Sequence, residues 1–200
     1  MIGFLILVIT YFAFSWGLPW HKIPSTISFS YIFDLLFALS VSFFFRLPWK
    51  FKFHFNKHSY KAFLEVMALG LGAVLSIWYL EIEIPFRLVN NLEWHLLVFA
   101  PVLEELVFRQ TFQRVLISSV GGKYVTSMLV AAIFAFSHLV GLTVLSTEYV
   151  PFIGFQVFYT FVLGVLCGQA LLRFHSVIMP IILHFIFNLI FYVALRSEFI

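Results

Sequence analysis

Two adjacent carboxylates and an arginine lie within an apolar stretch of the chain. They are Glu104, Glu105 and Arg109, between Phe99 and Gln110. An ionised group near the centre of a bilayer costs about 3 kcal/mol on insertion scales. Apolar helices keep such groups when they have partners, water or a function, so this stretch is the first candidate for a reactive site.

The spacing of these three residues predicts different roles for the two carboxylates. On a helix, Glu104 and Glu105 point about 100° apart, whereas Glu105 and Arg109 lie one turn apart on the same face and can pair. Glu104 is then the freer carboxylate and a candidate general acid or base. The alternative is an Arg–Glu pair that only fixes helix packing, with Glu104 held by a hydrogen bond.

Three more polar side chains in apolar stretches can complement Glu104. His138 closes one stretch, and His184 and Asn188 lie four residues apart on one helix face. A carboxylate with a histidine can activate water, while a second imidazole and a carboxamide can donate hydrogen bonds to an oxyanion. Together these groups can hydrolyse an amide. Taken singly, each also suits an interfacial residue or an interhelical hydrogen bond.

The composition indicates which elements must position these groups. Of 200 residues, 62% are hydrophobic and 10% are charged, whereas soluble domains have about 25% charged residues. We therefore predict one integral membrane domain over residues 1–200, an all-α polytopic transmembrane bundle. The single cysteine, Cys167, has no second cysteine or metal-ligand spacing around it, so we expect a small buried side chain.

About seven apolar stretches are long enough to be spans. They cover residues 2–18, 27–45, 62–80, 92–116, 124–142, 152–172 and 176–195. A turn containing two prolines is expected at residues 19–24, and Gly121 and Gly122 break the chain after the fourth stretch. Gly164 and Gly168 form a GxxxG pattern, which predicts close approach of two helices.

The distribution of basic residues predicts the orientation. The segment after the second stretch carries Arg46, Lys50, Lys52, Lys57, Lys61, His54 and His58. The positive-inside rule puts this segment and the N-terminus in the cytoplasm, with the first stretch retained as a span, and the C-terminus outside. We expect these basic residues to contact anionic lipid headgroups rather than nucleic acid.

Three short motifs resemble those of a known family. Glu104 to Arg109, Phe134 to His138 and His184 to Asn188 match EExxxR, FxxxH and HxxxN, in that order. This order is similar to that in the CPBP family (also called Abi), intramembrane proteases that include type II CAAX prenyl endopeptidases and bacterial bacteriocin-processing or immunity proteins. The resemblance covers residues 90–195, a catalytic core, while residues 1–89 form N-terminal spans without such a signature.

The resemblance implies an intramembrane cavity and a glutamate-type, metal-independent mechanism that needs no cofactor. By position, Glu104 and His138 would activate water, and His184 and Asn188 would form the oxyanion hole. Supporting roles would fall to Glu105 and Arg109, beside Glu104, and to Phe134, beneath His138. The implied substrate is a membrane-associated peptide or prenylated protein in a bacterial cell membrane.

Two alternatives remain open at this stage. A non-enzymatic immunity or scaffold protein could use the same polar groups to bind a peptide in the bilayer. A zinc metalloprotease could use two histidines and carboxylates as ligands, although no HExxH pair is present. A geometric conflict also remains, because His138 falls toward the outer end of its predicted span and Glu104 nearer mid-depth. A tilted helix or a shifted boundary would reconcile them.

Overall fold

The structure is a computed structural model that describes residues 1–18, 29–53, 55–88, 91–120, 122–197 and 200. Within these residues all regular secondary structure is helical. The main helices are α1 (Ile2–Gly17), α2 (Phe29–Phe44), α3 (Lys57–Tyr79), α4 (residues 92–120), α5 (Lys123–Val144), α6 (Thr147–Phe174) and α7 (Ile178–Arg196). The predicted all-α bundle is therefore confirmed.

Four helices, α3, α5, α6 and α7, are long and apolar enough to cross a membrane, while α1 and α2 are shorter apolar helices. This makes the chain an integral membrane protein. Each main helix corresponds to one of the seven predicted stretches. The turn expected at residues 19–24, His54 and Gly121 lie outside the described residues.

The residues at their first turns explain why two helices, α3 and α6, begin earlier than the apolar pattern predicted. The Asn56 side chain accepts hydrogen bonds from the backbone of His58 and Ser59, at 2.9 and 3.1 Å, so α3 starts with polar residues before its apolar part. In α6, a short 3-10 turn at Thr147–Tyr149 leads into the α-helix, with Pro151 in its first turn.

The helix α4 lies at the centre of the bundle and is not a regular α-helix. It contains two π-helical segments, His95–Phe99 and Leu106–Gln113, joined and flanked by α-helical turns. All eight residues of the second π segment are buried. The stretch with the charged residues is therefore surrounded by protein, which is where charged groups in a membrane protein can find partners.

Small residues let α5 and α6 approach closely, as the GxxxG pattern predicted. A Cβ atom added to Gly164 would lie 3.0 Å from the Cβ of Ala131 and 3.1 Å from its Cα. At Gly168 an added Cβ would collide with the hydroxyl of Ser127, and the Gly168 carbonyl accepts a 2.9 Å hydrogen bond from Gln113. This packing fixes α5, which carries His138, against α6.

The basic segment between α2 and α3 is attached to the junction of α6 and α7. The carbonyl of Lys50 accepts hydrogen bonds from the hydroxyl of Ser176 (3.0 Å) and the backbone N–H of Val177 (3.2 Å). The segment around Lys50, which is expected on the cytoplasmic side, and the junction of α6 and α7 therefore lie at one end of the bundle. The side of the membrane that this end faces stays a prediction.

Candidate active site

The four side chains predicted to do chemistry line one cavity. It has a volume of about 330 Å³, and its wall includes Glu104, His138, His184 and Asn188, brought by α4, α5 and α7. Most other lining residues are apolar or aromatic, so we call this cavity the apolar chamber. Three stretches distant in sequence thus meet at one cavity.

The two adjacent glutamates have different environments. The side chain of Glu105 is 0% exposed, and its Oε2 lies 3.1 Å from Nε of Arg109, which is also fully buried. The side chain of Glu104 is 29% exposed and lines the chamber. The predicted Glu105–Arg109 pair is therefore present, and Glu104 is the carboxylate that water or a substrate can reach.

Glu105 also holds His184, a contact that the sequence did not predict. Its Oε1 lies 3.0 Å from Nδ1 of His184, and Nε2 of the same imidazole lies 3.8 Å from Oε2 of Glu104. A carboxylate paired with arginine only accepts hydrogen bonds, so Nδ1 of His184 carries the proton in this contact. The Nε2 edge is thereby directed toward Glu104 and the chamber.

The imidazole of His138 is fixed by its own helix. Its Nδ1 lies 3.0 Å from the carbonyl oxygen of Phe134. Because a carbonyl can only accept, Nδ1 carries the proton and Nε2 keeps the lone pair of a base. The helix continues from His138 through a 3-10 turn to Val144. His138 therefore lies six residues before the end of α5, and it lines the same cavity as Glu104.

The aromatic ring of Phe134 packs among the charged groups. It lies edge-on to His138, with ring centroids 5.0 Å apart, and edge-on to His184 at 5.9 Å. The guanidinium of Arg109 sits 5.2 Å from the centre of the same ring, within the range of a cation–π contact. Phe134 contacts His138 as predicted, and it also joins Arg109 to both histidines.

A backbone carbonyl of α4 orients Asn188. The Nδ2 amide of Asn188 donates a 2.8 Å hydrogen bond to the carbonyl of Leu96, within the first π segment. In that segment the N–H of Ala100 reaches back to the carbonyl of His95, five residues earlier. The same pattern would pair Leu96 with Pro101, which has no N–H. Asn188 supplies the missing donor and keeps a second N–H for another acceptor.

A comparison with protein families identifies the core that carries this site. Residues 92–190 match the family described as type II CAAX prenyl endopeptidase Rce1-like. Through these residues, the chain is similar to the Rce1-like family. The match supports a CAAX-type intramembrane protease in general terms, and it agrees with the resemblance seen in the three motifs. Comparisons with curated proteins and with solved structures found no match.

Several residues near the Rce1-like site were not predicted from the sequence. Tyr31 of α2 and His95 of α4 both line the apolar chamber, and the Tyr31 hydroxyl lies 2.9 Å from Nδ1 of His95. Gln156 and Tyr159 reach the chamber from α6. Their spacing of three residues in an otherwise apolar helix was the available signal.

The zinc alternative has no preformed ligand set in the described part of the chain. No group of three or more His, Cys, Asp or Glu side chains there is arranged to hold a metal ion, whereas protein zinc sites use three or four such ligands. The predicted independence of metal is a question for experiment and stays a prediction.

Proposed function

We propose that this protein is an intramembrane endopeptidase that hydrolyses a peptide bond of a membrane-associated, prenylated peptide. The observation that carries the proposal is the convergence of Glu104, His138, His184 and Asn188, from three helices, on one chamber in an Rce1-like core. Each supplies a group that amide hydrolysis requires, and the chamber keeps them in an apolar surrounding where charged hydrogen bonds are strong.

Water activation falls to Glu104 and His138. Glu104 takes a proton from water as its oxygen attacks the carbonyl carbon of the scissile bond, and Nε2 of His138 accepts the second hydrogen bond of the same water. The product of attack is a tetrahedral intermediate whose former carbonyl oxygen carries the negative charge. When the C–N bond breaks, the proton held by Glu104 passes to the leaving amine.

The oxyanion is stabilised by His184 and Asn188. One N–H of the Asn188 amide is donated to the Leu96 carbonyl, and the second N–H remains available for the oxyanion. His184 can donate from Nε2 only as an imidazolium, because its Nδ1 proton already goes to Glu105. The Glu105 carboxylate offsets that positive charge. We therefore assign Glu105 and Arg109 to the support of His184 as well as of Glu104.

The lining of the chamber and the membrane setting indicate the class of substrate. The apolar lining of the chamber suits an aliphatic side chain or an isoprenoid group. The proposed setting is a bacterial cell membrane, with the N-terminus in the cytoplasm and the lipid bilayer and the peptide as partners. No cofactor enters the proposed reaction.

The test uses purified protein in lipid nanodiscs and a farnesylated peptide ending in a CAAX sequence. Cleavage is followed by mass spectrometry of both products. The wild type should cut the peptide, and Glu104→Gln should lower kcat by about a thousandfold, the typical contribution of a general base. Glu65→Gln is the matched control, because Glu65 is exposed on α3 and, among the described residues, forms an ion pair only with Lys61, at 3.6 Å. Equal activity of Glu104→Gln and the control would refute the proposal.

A further inference from the structure

A second cavity lies on the other side of Glu104 and His138. It has a volume of about 590 Å³ and is lined by residues of α1, α2, α4, α5 and α6. Four residues line both cavities and form the wall between them: Tyr31, Glu104, His138 and Gln156. A peptide whose scissile bond sits beside Glu104 can therefore place its two flanking parts in different cavities.

The second cavity is rich in hydrogen-bonding groups, and we call it the polar chamber. Hydroxyls of Tyr11, Ser15 and Thr143 line it together with the carboxylate of Asp34. None of the described residues that line it is a lysine or an arginine. The chamber thus offers acceptors and negative charge, and lacks a cation of its own in the part of the chain that is described.

Among the described residues that line this chamber, Asp34 is the one carboxylate that the proposed reaction does not use. It lies on α2, and its Oδ1 accepts a 3.0 Å hydrogen bond from the hydroxyl of Tyr11 on α1. Within the described residues it forms no ion pair. A carboxylate at membrane depth is costly without a charged partner and usually marks a functional position. A neutral hydrogen-bond acceptor at position 34 would be enough to connect α2 to Tyr11 of α1, so this hydrogen bond does not account for the charge of Asp34.

We infer that the polar chamber is a substrate subsite for a cationic side chain, a lysine ammonium or an arginine guanidinium next to the scissile bond, with Asp34 as its counter-ion. The inference rests on the proposed function, and it names a preference that the reaction itself does not require. A bound cation would supply the missing charge, and the surrounding hydroxyls would accept its remaining N–H groups. Because α1 and α2 lie outside residues 92–190, this preference is specific to the N-terminal part of the chain.

The test compares pairs of farnesylated CAAX peptides that differ only by lysine or norleucine at one position flanking the scissile bond. Both side chains have similar length, so the pair isolates the charge. At one position the wild type should prefer lysine by about tenfold in kcat/KM, the typical effect of one charge-assisted hydrogen bond. Asp34→Asn removes the charge but keeps a hydrogen-bond acceptor for Tyr11. It should abolish the preference by raising KM for the lysine peptide, and kcat/KM for the norleucine peptide should stay within about twofold of the wild-type value.

Two further variants separate charge from helix packing. Asp34→Lys should reverse the preference, toward a glutamate peptide over the lysine peptide, because the charge of the chamber is inverted. Tyr11→Phe removes the hydrogen bond between α1 and α2 but keeps the ring and the carboxylate of Asp34, so the preference for lysine should remain. A wild type without preference at any position, or an Asp34→Asn variant that slows both peptides equally, would overturn the inference.

Binding distinguishes a failure of this inference from a failure of the proposed function. If the wild type cleaves none of the peptides, the proposed function is wrong, and the same labelled peptides are then titrated onto wild type and Asp34→Asn in nanodiscs. A lower Kd for the lysine peptide that disappears in Asp34→Asn supports the cationic subsite without catalysis. Equal Kd values for lysine and norleucine peptides refute it.

Discussion

Identical substitutions at two adjacent residues, Glu104→Gln and Glu105→Gln, should differ strongly in their effect on stability. Glu105 is completely buried between Arg109 and His184, whereas Glu104 is partly exposed to the chamber. The amide in Glu105→Gln keeps the shape of the side chain but removes the charge, so a fully buried guanidinium loses its carboxylate. Removing one partner of a buried ion pair costs about 3–5 kcal/mol.

This magnitude converts into a measurable shift of the unfolding temperature. For a chain of this length, about 1 kcal/mol corresponds to about 2–4 °C, so Glu105→Gln should unfold about 10 °C below the wild type. Glu104→Gln should stay within about 2 °C of the wild type, because it removes a carboxylate that has no buried cation as its main partner. Both variants should lose nearly all activity. Glu105→Gln lacks the carboxylate that supports His184, and Glu104→Gln lacks the general base.

The single cysteine makes the assay straightforward. Cys167 is buried, so its thiol reacts with a thiol-specific fluorophore only when the bundle opens, and a thermal ramp in detergent reports unfolding. A double variant, Glu105→Leu with Arg109→Met, removes both charges and should recover part of the lost stability without activity. Equal unfolding temperatures for Glu104→Gln and Glu105→Gln would contradict the assignment of the buried pair.

Three further predictions follow from the same contacts. Pro101→Ala restores an N–H for the Leu96 carbonyl and frees the Asn188 amide, so kcat should fall about tenfold with little change in KM or unfolding temperature; unchanged kcat would refute the orienting role of Leu96. Gly168→Ala should lower the free energy of unfolding by about 1–3 kcal/mol through overpacking, and adding Ser127→Ala should restore part of it; a neutral Gly168→Ala would contradict the close packing. Chelators should leave peptide cleavage unchanged, and activity lost to a chelator and restored by zinc would favour the metalloprotease instead.

The sequence was informative wherever a single helix decides the geometry. The length of the apolar stretches located the seven main helices, the four-residue spacing predicted the Glu105–Arg109 pair, and the GxxxG pattern predicted close packing at Gly164 and Gly168. The last two features depend on residues four apart on one helix, and helical geometry fixes such relations before the bundle forms.

Contacts between helices were not predictable in the same way. The bond from Glu105 to His184 joins residues 79 positions apart, and its existence depends on how α4 and α7 are rotated about their axes. The π segments were also missed, because a regular α-helix was assumed through Pro101. A π turn changes which residues share a face. A regular α-helix of 3.6 residues per turn therefore did not predict that the Leu96 carbonyl would accept a hydrogen bond from Asn188.

The proposed reaction and the inferred selectivity involve different parts of the chain. The proposed reactive groups belong to α4, α5 and α7, within the region that matches the family, while Asp34 and Tyr11 come from α2 and α1. Among the described residues, the two chambers share only the wall formed by Tyr31, Glu104, His138 and Gln156. A change confined to the Asp34 side chain can therefore alter which peptide is held while the proposed reactive groups of α4, α5 and α7 are left unaltered. This separation explains why Asp34→Asn is expected to change the ratio between two peptides, whereas Glu104→Gln is expected to stop cleavage of both.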